Sequence, residues 1–129
     1  MKVESALGEV VDKVTILRLK ESQITDPSQI ANVRAEREAL CLAWSSQEFP
    51  IMENLVQYPK LCAVNRRLWE VEDALRRHEA KQVFDDSFVD LARSVYKLND
   101  QRAVLKREIS IGLGSVMVEE KLYPDYMRA

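Results

Sequence analysis

LCAVNRRLWEVEDALRR, residues 61–77, carries two periodicities at once. Leu61, Val64, Leu68, Val71 and Leu75 recur at spacings of three and four, which on a helix of about 3.6 residues per turn places them on one apolar stripe. Asn65, Trp69, Glu72, Asp73 and Arg76 follow the same spacing on the flank, so an amide, an indole, two carboxylates and a guanidinium form a strip beside the seam. The seam is core, and the polar strip needs a partner.

The next patterned stretch begins after Val83-Phe84-Asp85, with Asp86 or Ser87 as the expected cap of a helix reaching Ile109 or a little beyond. So short a link makes the two helices antiparallel neighbours. Phe88, Leu91, Val95, Leu98, Leu105 and Ile109 keep the apolar rhythm, while Arg102 takes a slot where another apolar residue is expected. Folding the hairpin about Phe84 sets Trp69 level with Asn99, Asn65 with Arg102 and Ala103, and Glu72 with Tyr96. Asn65, Trp69, Glu72, Tyr96, Asn99, Arg102 and Lys106 are therefore the candidate ligand-binding residues. Arg102 and Lys106 would engage an anion, Asn65 and Asn99 would orient polar groups, Glu72 would accept from a hydroxyl or hold Arg102, and Trp69 or Tyr96 would stack on a flat ring. The competing reading is structural: Glu72 pairs with Arg102, the two asparagines bridge backbone or each other, and the strip fixes helix register.

Upstream, Ser5 is positioned to cap a first helix reaching Ser22, with Leu7, Val10, Val11, Val14 and Leu17 on one side and Ile16 and Leu19 on another. Two apolar faces suggest two partners, and together with the aromatic tail they predict a homo-oligomer. Glu9, Asp12, Lys13, Ile16 and Lys20 form a mixed stripe of the kind that is most often a solvated salt-bridge face. Thr25-Asp26-Pro27 restarts the chain into a second helix running to Trp44, with Ile30, Val33, Leu40, Cys41 and Trp44 inside. Phe49-Pro50 breaks it, and Tyr58-Pro59 marks the boundary of the central helix, because a residue before proline avoids the helical region. Gly112 and Gly114 end the last helix, and residues 116–129 read as a packed C-terminal tail.

Long helical periods, three glycines, four prolines and the absence of alternating runs predict an all-α antiparallel bundle of about four helices, forming a single domain over residues 1–129. A chain of 129 residues can bury roughly two thirds of its unfolded surface without a staple. A net charge of −2 with both signs interleaved disfavours DNA as a partner. Two cysteines and a single histidine, His78, which reads as a surface residue, supply too few ligands for a structural zinc, and free thiols in a reducing cytoplasm are the economical reading. With no long apolar run and no leader pattern, the expectation is a soluble, cytoplasmic protein without a membrane partner.

Three functions remain open on the residues alone. The first is non-covalent binding of a small anionic ligand, a nucleotide, nucleotide signal or sugar phosphate, with no cofactor. The second uses the Glu70-x-x-Asp73 and Glu9-x-x-Asp12 spacings to hold magnesium for hydrolysis of a nucleotide or sugar-nucleotide pyrophosphate. The third is a non-catalytic protein interaction module.

Asp12-Lys13-Val-Thr-Ile-Leu17, Asn32-Val33, Asn65-x-x-Leu-Trp-x-x-Glu-Asp73, Ala92-Arg-Ser-Val-Tyr96, Asn99-Asp-x-Arg-Ala103, Lys106, Gly114-Ser115 and Glu119-Glu-Lys121 resemble a small uncharacterised bacterial and phage helical family, a domain of unknown function. The resemblance covers nearly the whole chain. A second uncharacterised family is similar over the hairpin alone, through its N-x-x-L-W-x-x-E-D and L-N-x-x-R pattern. The resemblance implies an all-helical fold and a setting near genes of cell-surface polysaccharide assembly and glycosyl transfer, and it assigns no catalytic residue.

Overall fold

The structure is a computed structural model that describes residues 6–114. Four helices form, α1 (Leu7–Gln23), α2 (Pro27–Ser45), α3 (Gln57–Lys81) and α4 (Asp86–Gly112), with a 3-10 turn at Met52–Asn54 before α3. The all-α class expected from the periodicities is the class found, and no strand occurs among the described residues. The tail read at residues 116–129 lies outside the described residues, as does Ser5.

Helix starts show where local chemistry decided the boundary. Asp26 accepts a hydrogen bond from the Gln29 amide at 2.9 Å with Pro27 in the first turn, as its sequence predicts. The cap of α4 is Asp85 rather than Asp86 or Ser87: its backbone is extended and its side chain accepts from the Phe88 amide at 3.1 Å. The start of α3 also differs from expectation, because the helix opens at Gln57 and runs through Pro59. Amides of a first turn have no intrahelical acceptor, so a proline there removes no bond and its fixed φ suits the helix. At the other end of α3 the chain reverses through Gln82 in the left-handed region (φ 55°), and its side-chain amide donates to the Glu79 carbonyl at 2.8 Å.

The two hairpins, α1–α2 and α3–α4, pack crosswise. Along α1, Gly8 meets Ser110 and Asp12 meets Arg102, so residue numbers fall on α4. Asp12 also meets Asn65, while Arg18 lies close enough to Tyr58 and Cys62 to act on both electrostatically, so numbers fall on α3 as well. A helix cannot run antiparallel to both members of an antiparallel pair, and α1 therefore crosses the hairpin. The crossing is close: a Cβ on Gly8 would lie 2.0 Å from the Lys106 carbonyl oxygen. That proximity lets α4 cap α1, whose N-cap residue Ala6 has no side-chain oxygen; Ser110 Oγ accepts from the Gly8 amide at 2.9 Å.

The core lies under the crossing. Val11 and Val14 of α1, Leu61, Val64 and Leu68 of α3, and Leu105 and Ile109 of α4 are buried together, closed off by Trp44 and Met52. Trp44 Nε1 donates to the Pro50 carbonyl at 2.9 Å, which ties the end of α2 to the turn that follows. The second apolar face of α1 is satisfied within the chain, since α1 packs on α2, α3 and α4 at once, and Leu19 is buried. That face therefore gives no reason for a second subunit. An α1 of 17 residues is about 25 Å long and an α4 of 27 residues about 40 Å, so the hairpin outruns its cover. Beyond Val71 the hairpin side chains are half-buried or exposed, and Phe84, Val89 and Tyr96 stand in solvent.

Candidate functional site

The crossing of α1 over α3 and α4 gathers a polar knot around Asp12, which is 2% exposed. Asn65 Nδ2 donates to Asp12 Oδ1 at 3.0 Å and to Thr15 Oγ1 at 2.9 Å, while the Thr15 hydroxyl donates to the Asp12 carbonyl at 2.6 Å. Arg102 reaches both carboxylate oxygens, with Nε at 2.9 Å from Oδ1 and Nη2 on Oδ2. One turn further along α4, the buried Lys106 ammonium lies 2.9 Å from Glu9 Oε1. A carboxylate this deeply buried persists only when paired and hydrogen-bonded, and here both requirements are met. Arg102 breaks the apolar rhythm of α4 because it faces the Asp12 carboxylate.

Beside the knot, a cleft of about 630 Å³ opens between α1 and α2. Lys13, Ile16, Leu17 and Lys20 line it from α1, Glu36 and Leu40 from α2, and Arg102 and Asp12 at its base. Lys13 Nζ and Glu36 Oε1 join the two walls at 2.7 Å, with both side chains about half exposed. Lys20 has no ion-pair or hydrogen-bond partner for its ammonium among the described residues. Further along the seam between α1 and α2, Arg37 and Arg34 converge on Glu21; the Arg37 hydrogen bond holds the Glu21 carboxyl below its usual value, and Glu21 in turn raises the Arg37 guanidinium.

The structure divides the residues singled out in the hairpin. Asn65 and Arg102 do lie level and meet on one carboxylate oxygen. Lys106 is committed to Glu9. Glu72 does not pair with Arg102; it is exposed, 3.9 Å from Arg76, because α1 delivers Asp12 to Arg102 first. Tyr96 is exposed and its hydroxyl accepts from Arg93 Nε at 3.5 Å, while Trp69 and Asn99 are half-buried. His78, read as a surface residue, is half-buried with Nδ1 2.9 Å from the Val83 carbonyl oxygen, so it braces the turn of the hairpin.

The stripe on α1 expected to be solvated is the larger correction. The correction falls on Asp12, which is buried; Lys13 keeps the solvated salt bridge expected of it, with Glu36, and Ile16 and Lys20 are half-buried along the cleft. Gly8, Val11, Asp12, Thr15 and Leu19 share one face at spacings of three and four, and the small residues among them are the signal of a close helix crossing that periodicity alone passes over.

Carboxylate pairs spaced for a metal are otherwise engaged. Glu9 and Asp12 hold Lys106 and Arg102, while Glu70 lies 3.6 Å from Arg67 and Asp73 2.9 Å from Arg76. No group of three or more histidine, cysteine or acidic side chains gathers for a metal among the described residues. Cys41 and Cys62 are free and half-buried, and burial pushes both the Cys62 thiol and the Tyr58 hydroxyl up, away from the ionised nucleophile. No described helix is long and apolar enough to cross a membrane.

A model described as a family of unknown function (DUF6165) matches residues 1–128, and the chain belongs to that family. No curated protein and no solved structure matches it.

Proposed function

We propose that the protein binds a small anionic molecule non-covalently in the cleft between α1 and α2, with Lys20 taking the anion and Arg102 forming a fixed wall. One observation carries this reading. Around the cleft and the knot beneath it, Lys13, Arg102 and Lys106 each have a carboxylate, in Glu36, Asp12 and Glu9, and Lys20 is the cation left over. The cleft's own lining balances three carboxylates against three cations, but Glu9 is taken by Lys106 from outside it, which leaves Lys20 facing the cleft without an ion-pair partner among the described residues. Asp12 grips Arg102 at two points, so the guanidinium keeps its place when the cleft fills and little ordering is lost on binding. Ile16, Leu17 and Leu40 supply the apolar contact that desolvates the anion's neighbour and strengthens its attraction to the ammonium.

The anion site expected at Arg102 and Lys106 is proposed at Lys20 instead, and Arg102, held by Asp12, lines the cleft toward its Lys13 end. Calorimetric titration with inorganic phosphate, ribose 5-phosphate and glucose 1-phosphate tests it against wild type and Lys20→Met. A hydrogen bond to a charged group contributes about 1.5–3 kcal/mol, so affinity should fall roughly tenfold or more in Lys20→Met with the melting temperature unchanged. Absence of binding across this panel and across the nucleoside monophosphates, or equal affinity in the variant, contradicts the proposal.

A further inference from the structure

The cleft has a polarity along its length that says more about its ligand than the charge does. Lys13 and Lys20 are seven residues apart on one face of α1, which separates them by about 10 Å. Ile16 stands between them, with Leu40 of α2 lining the same space. At the Lys13 end an ammonium donor and a carboxylate acceptor sit side by side, 2.7 Å apart, where the Lys13–Glu36 pair spans the walls. At the other end stands Lys20. The order along the cleft is anion-binding cation, apolar walls, then an adjacent donor and acceptor.

We infer that the ligand is a nucleoside 5′-monophosphate, which rests on the anion-binding reading of this cleft and names its class. Its phosphate meets Lys20, its flat base enters between Ile16 and Leu40, and the base edge faces Lys13 and Glu36. Nucleobases present a donor and an acceptor next to each other on one edge, the complement of a neighbouring ammonium and carboxylate. The span from phosphate to base edge in such a molecule is comparable with the separation of the two lysines. A sugar phosphate is too short to reach both ends, and an alkyl anion has nothing to offer the polar one. The Lys13–Glu36 bridge opens at little cost, because both partners are about half exposed and such bridges contribute little stability. Glu36 then chooses the ligand: its carboxylate accepts from the base and is left bare by anything without a donor there.

Calorimetry with AMP, CMP, GMP, UMP, adenosine, ribose 5-phosphate and inorganic phosphate decides the matter, on wild type, Lys20→Met and Glu36→Ala. At least one nucleoside monophosphate should bind tenfold or more tightly than ribose 5-phosphate. Lys20→Met should weaken whichever nucleotide binds by tenfold or more, and Glu36→Ala should bring that nucleotide down toward ribose 5-phosphate without altering ribose 5-phosphate itself. Both side chains are on the surface of the cleft and their melting temperatures provide the control for folding. If every nucleotide binds no better than ribose 5-phosphate, the base has no site and this inference is overturned, while the anion site stands. If neither phosphates nor nucleotides bind at all, the anion site falls with it.

Discussion

The α3–α4 hairpin carries similar polar side chains at its two ends, and they end in opposite conditions. Near the crossing, Asn65, Arg102 and Lys106 are buried or half-buried and fixed on Asp12 and Glu9 of α1. Two to four turns away, Glu72, Arg76 and Tyr96 lie in solvent with partners on their own helices. Nothing in the hairpin separates the two ends; α1 does, by crossing one and stopping short of the other. A polar strip at helical spacing is therefore a structural network or a wet surface according to what lies across it, and the energetic weight of a residue follows the partner more than the residue type.

That contrast can be broken by substitution. Arg102→Met leaves the Asp12 carboxylate buried without its cation, and removal of one member of a buried pair typically destabilises by about 3–5 kcal/mol. Urea denaturation should show that loss for Arg102→Met, whereas Asp12→Leu combined with Arg102→Met should recover much of it, because the uncompensated charge is gone. Gly8→Ala comes next. The new methyl cannot coexist with the Lys106 carbonyl at the present separation, so α1 must lift from α4, at about 1–3 kcal/mol by the same measurement.

The α1–α2 seam is intermediate in exposure and should be intermediate in effect. Glu21 has its carboxyl lowered from its ordinary value by its bonds to Arg37 and Arg34, against some burial cost. A depressed folded value means the contribution is present above the unfolded value and lost as pH falls through the folded one. Glu21→Gln should therefore lower the melting temperature at pH 7, and the difference from wild type should vanish once acid has protonated the carboxylate. At the far end of the scale, Glu72→Ala should change stability by no more than about 0.5 kcal/mol. A Glu72 effect equal to that of Arg102 would erase the distinction between the two ends.

Much of this was legible in the chain. The stripe from Leu61 to Val71, the Asp26-Pro27 restart and the short link around Phe84 are local signals, and the structure contains the helices they imply. The level pairing of Asn65 with Arg102 follows from hairpin geometry. What could not be read was the identity of their partner, since the periodicity of α1 offers two faces and does not say which is crossed. Asp12 looked like one charge among several on a mixed stripe because its burial depends on Gly8 letting α4 approach, a contact of 102 residues' separation between Gly8 and Ser110. The start of α3 differs for a local reason, because Pro59 sits in a first turn where its missing amide removes no bond, whereas the cap that Ser110 lends to α1 is a tertiary contact with no local signal.

The most direct measurement is a nitrogen–proton correlation titration of the labelled protein with AMP and, separately, ribose 5-phosphate. Binding in the α1–α2 cleft predicts shifts concentrated at residues 13–20 and 36–40, with Trp69, Glu72, Tyr96 and Asn99 unmoved. Shifts centred on Trp69, Glu72, Tyr96 and Asn99, with the cleft silent, would place the ligand on the exposed half of the hairpin and contradict the division drawn between its two ends.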